Sequence, residues 1–373
     1  MIKVFLIRHA KPDFPIGERY CLGRAEFPLG PAGRMQSVLL GKKLEGTVDK
    51  VYSSSLGRAV ETARAIRGDA VVAEGIEEMS AGEWDGYSFS EIKKRWPEIY
   101  NARCGASGMS KIPGAEQDEA GLIRFTRGMK KIFEDAEESF PDKEDISIAV
   151  VSHATVIQLY ISNLMGEPLS TSIKYKPRYA SWYELEIRNG VPYAVSGNTD
   201  PVISLSDPLC GELMEAAGCG KNIIDHCRAV SCEADRIADR IEEFEIKDVI
   251  QTEGIDRESL HFAALLHDVA RKQKKHDLAG GVYLRELGYP KLAKIVEQHH
   301  DLELKRDEKG RIIIDEAAVL FLADKRIKET SRVGVAERFG KSLEKCRTPE
   351  AVEAHERRRR TAVALDELFF AQS

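Results

Sequence analysis

The chain has 373 residues, 43% of them hydrophobic and 31% charged, a balance that excludes a disordered, fibrous or low-complexity protein and is long enough for two separate cores. A net charge of −6 excludes a global attraction to nucleic acid or to an anionic membrane, while leaving room for a local basic pocket that receives a phosphorylated ligand. Seven cysteines without a Cys-x-x-Cys pair read as free thiols rather than as a disulfide framework or zinc ribbon.

In chain order, "IKVFLI" predicts a strand entered at once, with no secretory signal before it. There follow a helix at "GRMQSVLLGKKL", a strand at "KVYSS", a helix at "GRAVETARAI", a short strand at "AVVAE" and a long helix over 117–139. The strand "ISIAVVS" leads into the helix "ATVIQLYISNLM", and "SWYELEIRNGVPYAVSG" reads as an edge hairpin turning at Asn189-Gly190. Short apolar strands alternating with helices imply an α/β domain of three layers with a mostly parallel sheet, whose site lies at the carboxyl ends of the strands. The Gly-, Pro-, Ser- and Asp-rich segment 196–208 breaks the pattern, so the domains are expected at 1–200 and 205–373. Beyond it helical periodicity dominates and an all-α domain is expected, with "GRIII" at 310–314 ambiguous. The apolar runs are far shorter than the roughly 20 residues of a membrane span. A cytoplasmic protein without membrane or nucleic-acid partners is expected.

Of nine histidines, only His9 and His153 fall in the first domain. Each follows an apolar strand directly, in "VFLIRH" and "IAVVSH", so both emerge at the same end of a parallel sheet. Arg8 precedes His9, and Arg58 begins the helix after a third strand. Guanidinium forks bind phosphate oxygens with paired charge-assisted hydrogen bonds, and a neutral imidazole among them can attack phosphorus. Glu77, Glu78, Glu83 and Asp85 form a carboxylate cluster in which the residues alone single out no general acid.

Taken in order, "LIRHA" at 6–10, "VYSSSLGRAVETA" at 51–63, "EEMSAGEWDG" at 77–86 and "VVSHATVI" at 150–157 resemble the histidine phosphatase (phosphoglycerate mutase-like) superfamily. The resemblance implies that His9 is the nucleophile, that Arg8, Arg58 and His153 bind the phosphate, that Glu78 is the acid and base, and that no cofactor is needed. The stretch 20–36 resembles the smaller cobalamin-pathway (α-ribazole phosphate) phosphatase branch. Ala10, Ala154 and Thr155 depart from the glycines more common in the family.

In the second domain, His226, His267-Asp268, His276, His299-His300 and Asp324 punctuate helical runs. Imidazoles mixed with carboxylates suit a divalent first-row metal, and an aspartate can bridge two ions. The order resembles the HD superfamily of metal-dependent phosphohydrolases, named for a His-Asp pair present here as His267-Asp268. The resemblance implies one ion (Mn, Fe, Ni, Zn or Mg) held by His226, His267, Asp268 and Asp324. It leaves open a second ion on Asp268, His276, His299 and His300. Arg271 and Lys272, in "ARKQKKH", would offer positive charge to a phosphate. His261 and His355 read as ordinary packed histidines.

The whole reads as a bifunctional phosphohydrolase for a small phosphorylated metabolite or nucleotide. The rival is a regulatory protein in which one domain senses a phosphorylated ligand without turnover.

Overall fold

In a computed structural model, which describes residues 1–103, 112–243, 249–250, 254–340, 343 and 346–370, the chain divides into two compact units, Met1–Ile203 and Ser204–Ser373. Cys104 lies outside the described residues, and the other six cysteines are free.

The first unit runs β1 (Ile2–Arg8), α1 (Pro31–Leu44), β2 (Lys50–Ser53), α2 (Gly57–Ile66), β3 (Val71–Val72), α3 (Phe89–Arg95), α4 (Pro97–Arg103), α5 (Asp118–Ser139), β4 (Ile146–Ser152), α6 (Ala154–Leu164), β5 (Trp182–Arg188) and β6 (Val191–Thr199). The sheet order is β3-β2-β4-β1-β5-β6, with β1 to β4 mutually parallel and the β5-β6 hairpin antiparallel at one edge. Asn189 and Gly190 turn that hairpin with both φ values positive, 50° and 74°, as a two-residue turn matched to strand twist requires.

Strands β1 and β4 are apolar on both faces because both faces are covered. Val4, Leu6, Ile148 and Val150 pack into one core with Phe125 and Met129 of α5 and Val156 and Tyr160 of α6. Phe5, Ile7, Ala149 and Val151 pack into the other with Leu40 of α1 and Ala59 and Ala63 of α2. The two-residue alternation of a strand thus deals successive side chains to opposite cores. Arg8 pairs with Ser152 at the carboxyl end of this parallel register, so the next residues, His9 and His153, leave the sheet side by side.

The second unit contains α7 (Asp207–Ala216), α8 (Lys221–Glu243), β7 (Val249–Ile250), α9 (Arg257–Leu266), α10 (His276–Glu286), α11 (Pro290–Val296), β8 (Ile312–Ile313), α12 (Glu316–Arg326), β9 (Ile327–Lys328), β10 (Ser331–Arg332), α13 (Val335–Gly340) and α14 (Pro349–Phe370). It is helical, with two small ribbons: the "GRIII" run supplies β8, which pairs parallel with β7, and β9 pairs with β10. Side-chain caps start several of its helices, with Ser206, Asp256, Asp315 and Thr348 accepting the backbone N–H groups of Leu209, Ser259, Ala318 and Ala351. Val230, Ile237, Leu260, Ala264, Val296, Leu320 and Phe321 are fully buried in the unit's interior. Among the described residues no helix is long and apolar enough to cross a membrane.

Candidate functional site

At the carboxyl end of the first unit's sheet, the rings of His9 and His153 lie 5.0 Å apart. His9 Nδ1 is 2.7 Å from the carbonyl of Ala10, so Nδ1 donates its proton and Nε2 keeps its lone pair. Arg58 donates from Nε to that Nε2 at 3.2 Å, and from its two terminal nitrogens to the carbonyls of Ala25 and Gly23 at 2.8 and 2.7 Å. Gly23 is required there: its φ is +47°, and a Cβ would strike the Asp85 carboxylate at 1.5 Å. Arg8 donates to the carbonyl of Pro177 and stacks its guanidinium 3.5 Å above the Tyr179 ring, while its buried Nε has no partner.

His153 stands directly before α6 and places Nε2 2.6 Å from Ser54 Oγ. That oxygen accepts the Leu56 N–H, and among the described contacts its own hydrogen has no acceptor other than His153 Nε2, which places the proton of the imidazole on Nδ1. Nδ1 is buried and has no partner. Two buried donors left open, Arg8 Nε and His153 Nδ1, suit an anion. Burial, reinforced by Arg58 and Arg8, holds His9 well below the ordinary imidazole pKa, and burial with its cationic neighbours does the same to His153. Both are therefore neutral at pH 7.

Glu78 is buried, and its carboxylate accepts the backbone N–H groups of Met79, Thr155 and Val156 at 2.9, 3.1 and 3.2 Å. Two of these belong to the first turn of α6. Thr155 needs only its backbone for this contact. Behind Glu78, Arg124 donates to the carbonyls of Gly75, Glu77 and Glu78 and pairs with Glu116, which also receives Arg24. Glu77 is taken up by Arg124, and Asp85 by the Ala81 N–H and Ser80. Of the carboxylates left open by the sequence, these two are thus held in structural contacts. The contributions of Tyr179, Ser54, Thr62 and Arg124 escaped the sequence reading. Thr62 accepts the Ala10 N–H and donates to the Arg58 carbonyl, and its place one turn after Arg58 is the only signal that could have revealed it.

In the second unit, His226 of α8, His267 at the end of α9 and Asp324 of α12 converge, with Asp324 Oδ1 3.2 Å from His226 Nε2 and 3.9 Å from His267 Nε2. Asp268 Oδ2 is 3.7 Å from the same His267 nitrogen. Two groups, His226-His267-Asp324 and His267-Asp268-His299, each bring their donor atoms within 4.8 Å of one another. The tautomers agree. His226, His267 and His299 each tie Nδ1 to a backbone carbonyl, of Glu329, Ala264 and Val296 at 2.7, 2.8 and 2.7 Å, which turns the lone pair on Nε2 inward. Lys325, missed by the sequence reading although it adjoins Asp324, donates to Asp324 Oδ2 at 2.6 Å and to the His299 carbonyl, leaving Oδ1 for the cluster.

His267 Nε2 is buried with no partner. An inward lone pair without a donor, among carboxylates, fits a cation, and nitrogen and oxygen donors without thiolate suit a divalent first-row ion. Burial pushes His267 down to about 4. Burial would also lower His226, but the hydrogen bond and charge of Asp324 outweigh it and raise that pKa. Against the upward pull of burial, Lys325 and His226 hold Asp324 well below the carboxylate range.

The remaining candidates are placed less uniformly. His276 lies 3.3 Å from Asp268 Oδ1, and its ring is 5.4 Å from that of His300. Arg271 reaches Asp268 and His276, whereas Lys272 directs its ammonium toward Gly218. His261 is occupied by Asp207, Asp235 and Ser231, and His355 is buried against Phe339, so neither joins the cluster.

Residues 4–200 match the histidine phosphatase superfamily (branch 1), and residues 223–327 match the HD domain. A bifunctional protein of Mycobacterium tuberculosis is 30% identical over 165 residues, 43% of this chain and 43% of that protein. The chain therefore spans less than half the length of that relative. The adenosylcobalamin/alpha-ribazole phosphatase of Escherichia coli is 28% identical over 192 residues, 50% of this chain and 90% of the enzyme. Among solved structures, YhfR of Bacillus stearothermophilus aligns with a TM-score of 0.47 at 22% identity, covering 53% of this chain and 97% of its own. With the four motifs gathered at one sheet end and the His-Asp pair inside a helical cluster, the chain belongs to the histidine phosphatase superfamily and carries a second, HD domain after it.

Proposed function

We propose that the chain is a bifunctional phosphohydrolase acting on small phosphorylated metabolites or nucleotides. In the first unit, His9 Nε2 attacks phosphorus as the ester P–O bond breaks, and the departing oxygen takes a proton from the Glu78 carboxyl. Water then attacks the phosphohistidine and gives a proton back to Glu78, releasing inorganic phosphate and neutral His9. The Ala10 carbonyl fixes the tautomer that leaves Nε2 nucleophilic. Arg8, Arg58 and the Nδ1–H of His153 meet the charge on the phosphoryl oxygens. The observation that carries this reading is the pair of partnerless buried donors, Arg8 Nε and His153 Nδ1, beside a neutral nucleophile.

In the second unit, His226, His267, Asp268 and Asp324 would hold a divalent transition ion. Such an ion polarises a phosphoryl oxygen and lowers the pKa of water. The chain's own part is orientation: three backbone carbonyls fix the imidazole tautomers, Lys325 fixes the Asp324 carboxylate, and Arg271 offers a guanidinium beside Asp268. The phosphatase name of the Escherichia coli relative supports the ligand class.

The test is hydrolysis of an aryl phosphate and of a panel of phosphorylated metabolites by the full chain, with and without chelator. Chelator-resistant activity that disappears in His9→Ala, together with chelator-sensitive activity that disappears in His267→Ala, is the expected result. Activity unaffected by both substitutions would sink the proposal.

A further inference from the structure

The two halves of the HD-domain cluster are furnished differently. Asp268 turns one carboxylate oxygen to each, Oδ2 toward His267 at 3.7 Å and Oδ1 toward His276 at 3.3 Å and His299 at 3.7 Å. A carboxylate so placed can bridge two cations. In the second half, His276 Nε2 and His299 Nε2 stand 3.2 Å apart. His299 has committed Nδ1 to the Val296 carbonyl, so its Nε2 presents a lone pair, and this half too calls for positive charge.

That charge is already supplied by the chain. Arg271 Nη1 lies 3.2 Å from His276 Nε2 and 3.4 Å from Asp268 Oδ1, on the two donors that a second ion would need. In the first half Lys325 takes only the outer oxygen of Asp324, Oδ2, and among the described residues no cation reaches His267 Nε2, which is buried without a partner. A second dication would also have to share the single Asp268 carboxylate with the first, beside the Arg271 guanidinium and near the buried Lys325 ammonium. Like charges so close together are costly where water does not screen them.

Resting on the metal-dependent reading of this unit, we infer that Arg271 stands in for a second ion, so that the site takes one divalent cation on His226, His267, Asp268 and Asp324. His276 then serves as a partner of Arg271 and not as a metal ligand. The resemblance implies one ion and leaves a second open, and the placement of a single guanidinium separates the two cases.

The experiment is metal analysis of the full chain, stripped, reloaded with Mn²⁺ and freed of excess. One Mn²⁺ per chain is expected for the wild type and for His276→Ala. Two are expected for Arg271→Ala, and one again for the double variant Arg271→Ala/His276→Ala. Arg271 is 51% exposed at its side chain, so truncation leaves the core intact, and Arg271→Gln, which keeps the stem and removes the charge, should also bind two. Two ions on the wild type, loss of the ion in His276→Ala, or a single ion in both Arg271 variants would overturn the inference. No ion on any of these proteins would instead overturn the metal-dependent reading beneath it.

Discussion

In the first unit the Nε2 atom of His9 faces the Arg58 guanidinium at 3.2 Å, whereas in the second the Nε2 atom of His226 faces the Asp324 carboxylate at the same distance. Both imidazoles tie Nδ1 to a backbone carbonyl, of Ala10 and Glu329 respectively, so in the neutral form both present the same lone pair. The charge opposite that lone pair differs in sign. Guanidinium groups leave unfilled donors that suit an anion, and carboxylates leave unfilled lone pairs that suit a cation. One residue type in one tautomer thus supports two kinds of site, and the neighbour decides which.

The sharpest way to break this comparison is to remove one nitrogen from each side. His9→Ala is expected to lower chelator-resistant phosphatase activity by roughly 10³-fold or more while leaving bound metal unchanged. His267→Ala is expected to abolish metal retention while leaving chelator-resistant activity within about twofold, since the two substitutions lie in separate units. Loss of both activities from either substitution would contradict two independent sites.

Next in size is Arg58→Lys. A lysine keeps the charge but cannot reach His9 Nε2 and the carbonyls of Gly23 and Ala25 together, so kcat/KM for a phosphomonoester should fall on the order of 10²-fold. In the other unit, Lys325→Met frees Asp324 Oδ2 and the His299 carbonyl, and metal affinity should weaken by about 10- to 100-fold in a competition titration with a chelator. An unchanged affinity would show that Lys325 plays no part in holding the carboxylate.

The smallest expected effect is on stability. Burial holds His9 and His153 well below the ordinary imidazole value and pushes His267 and His300 down to about 4, with Lys325 and Arg358 adding to the shift of His300. Below the ordinary imidazole value the unfolded chain takes up protons that these folded side chains refuse, so stability declines as pH falls from about 6.5 toward 4. Melting of the metal-free protein should therefore drop by roughly 5 °C or more between pH 7 and pH 5. A rise over that interval would show that ion pairs such as His226-Asp324 outweigh the buried neutral histidines.

The residues legible in the sequence were those whose position follows from local pattern. Arg8, His9 and His153 end strands whose apolar runs are unmistakable, and α2, which carries Arg58, begins at Gly57 where the pattern puts it. The His and Asp residues of the second unit's cluster stand out for a similar reason, since they interrupt apolar helical runs, whereas their reading as ligands comes from resemblance. Illegible were the residues that act across long stretches of chain without any regular spacing. Tyr179 meets Arg8 from a loop before β5, and Ser54 reaches His153 from a position 99 residues away. Arg124 supports the Glu78 segment from an ordinary-looking turn of α5. Glu78 itself could be chosen from its neighbours by resemblance only, because its distinction is three N–H donors, two of them supplied by a helix that starts 76 residues later. Of the second unit's ribbons only β8 leaves a trace, in the ambiguous "GRIII" run, since strands of two residues carry no period to detect.

The parallel pairing of β1 with β4 places Arg8 opposite Ser152, and His9 and His153 follow one residue beyond. A slip of one residue in either strand would exchange its core-facing sets and carry its histidine out of reach of the other. Histidine spacing is therefore written into sheet register, whereas the stretch between β1 and α1 lies outside that register and is held to the site by the Arg58 contacts to Gly23 and Ala25. The two histidines and the segment between β1 and α1 are thus positioned by separate devices. A change along residues 11–22 therefore leaves in place the His9–His153 pairing, which the register of β1 and β4 sets.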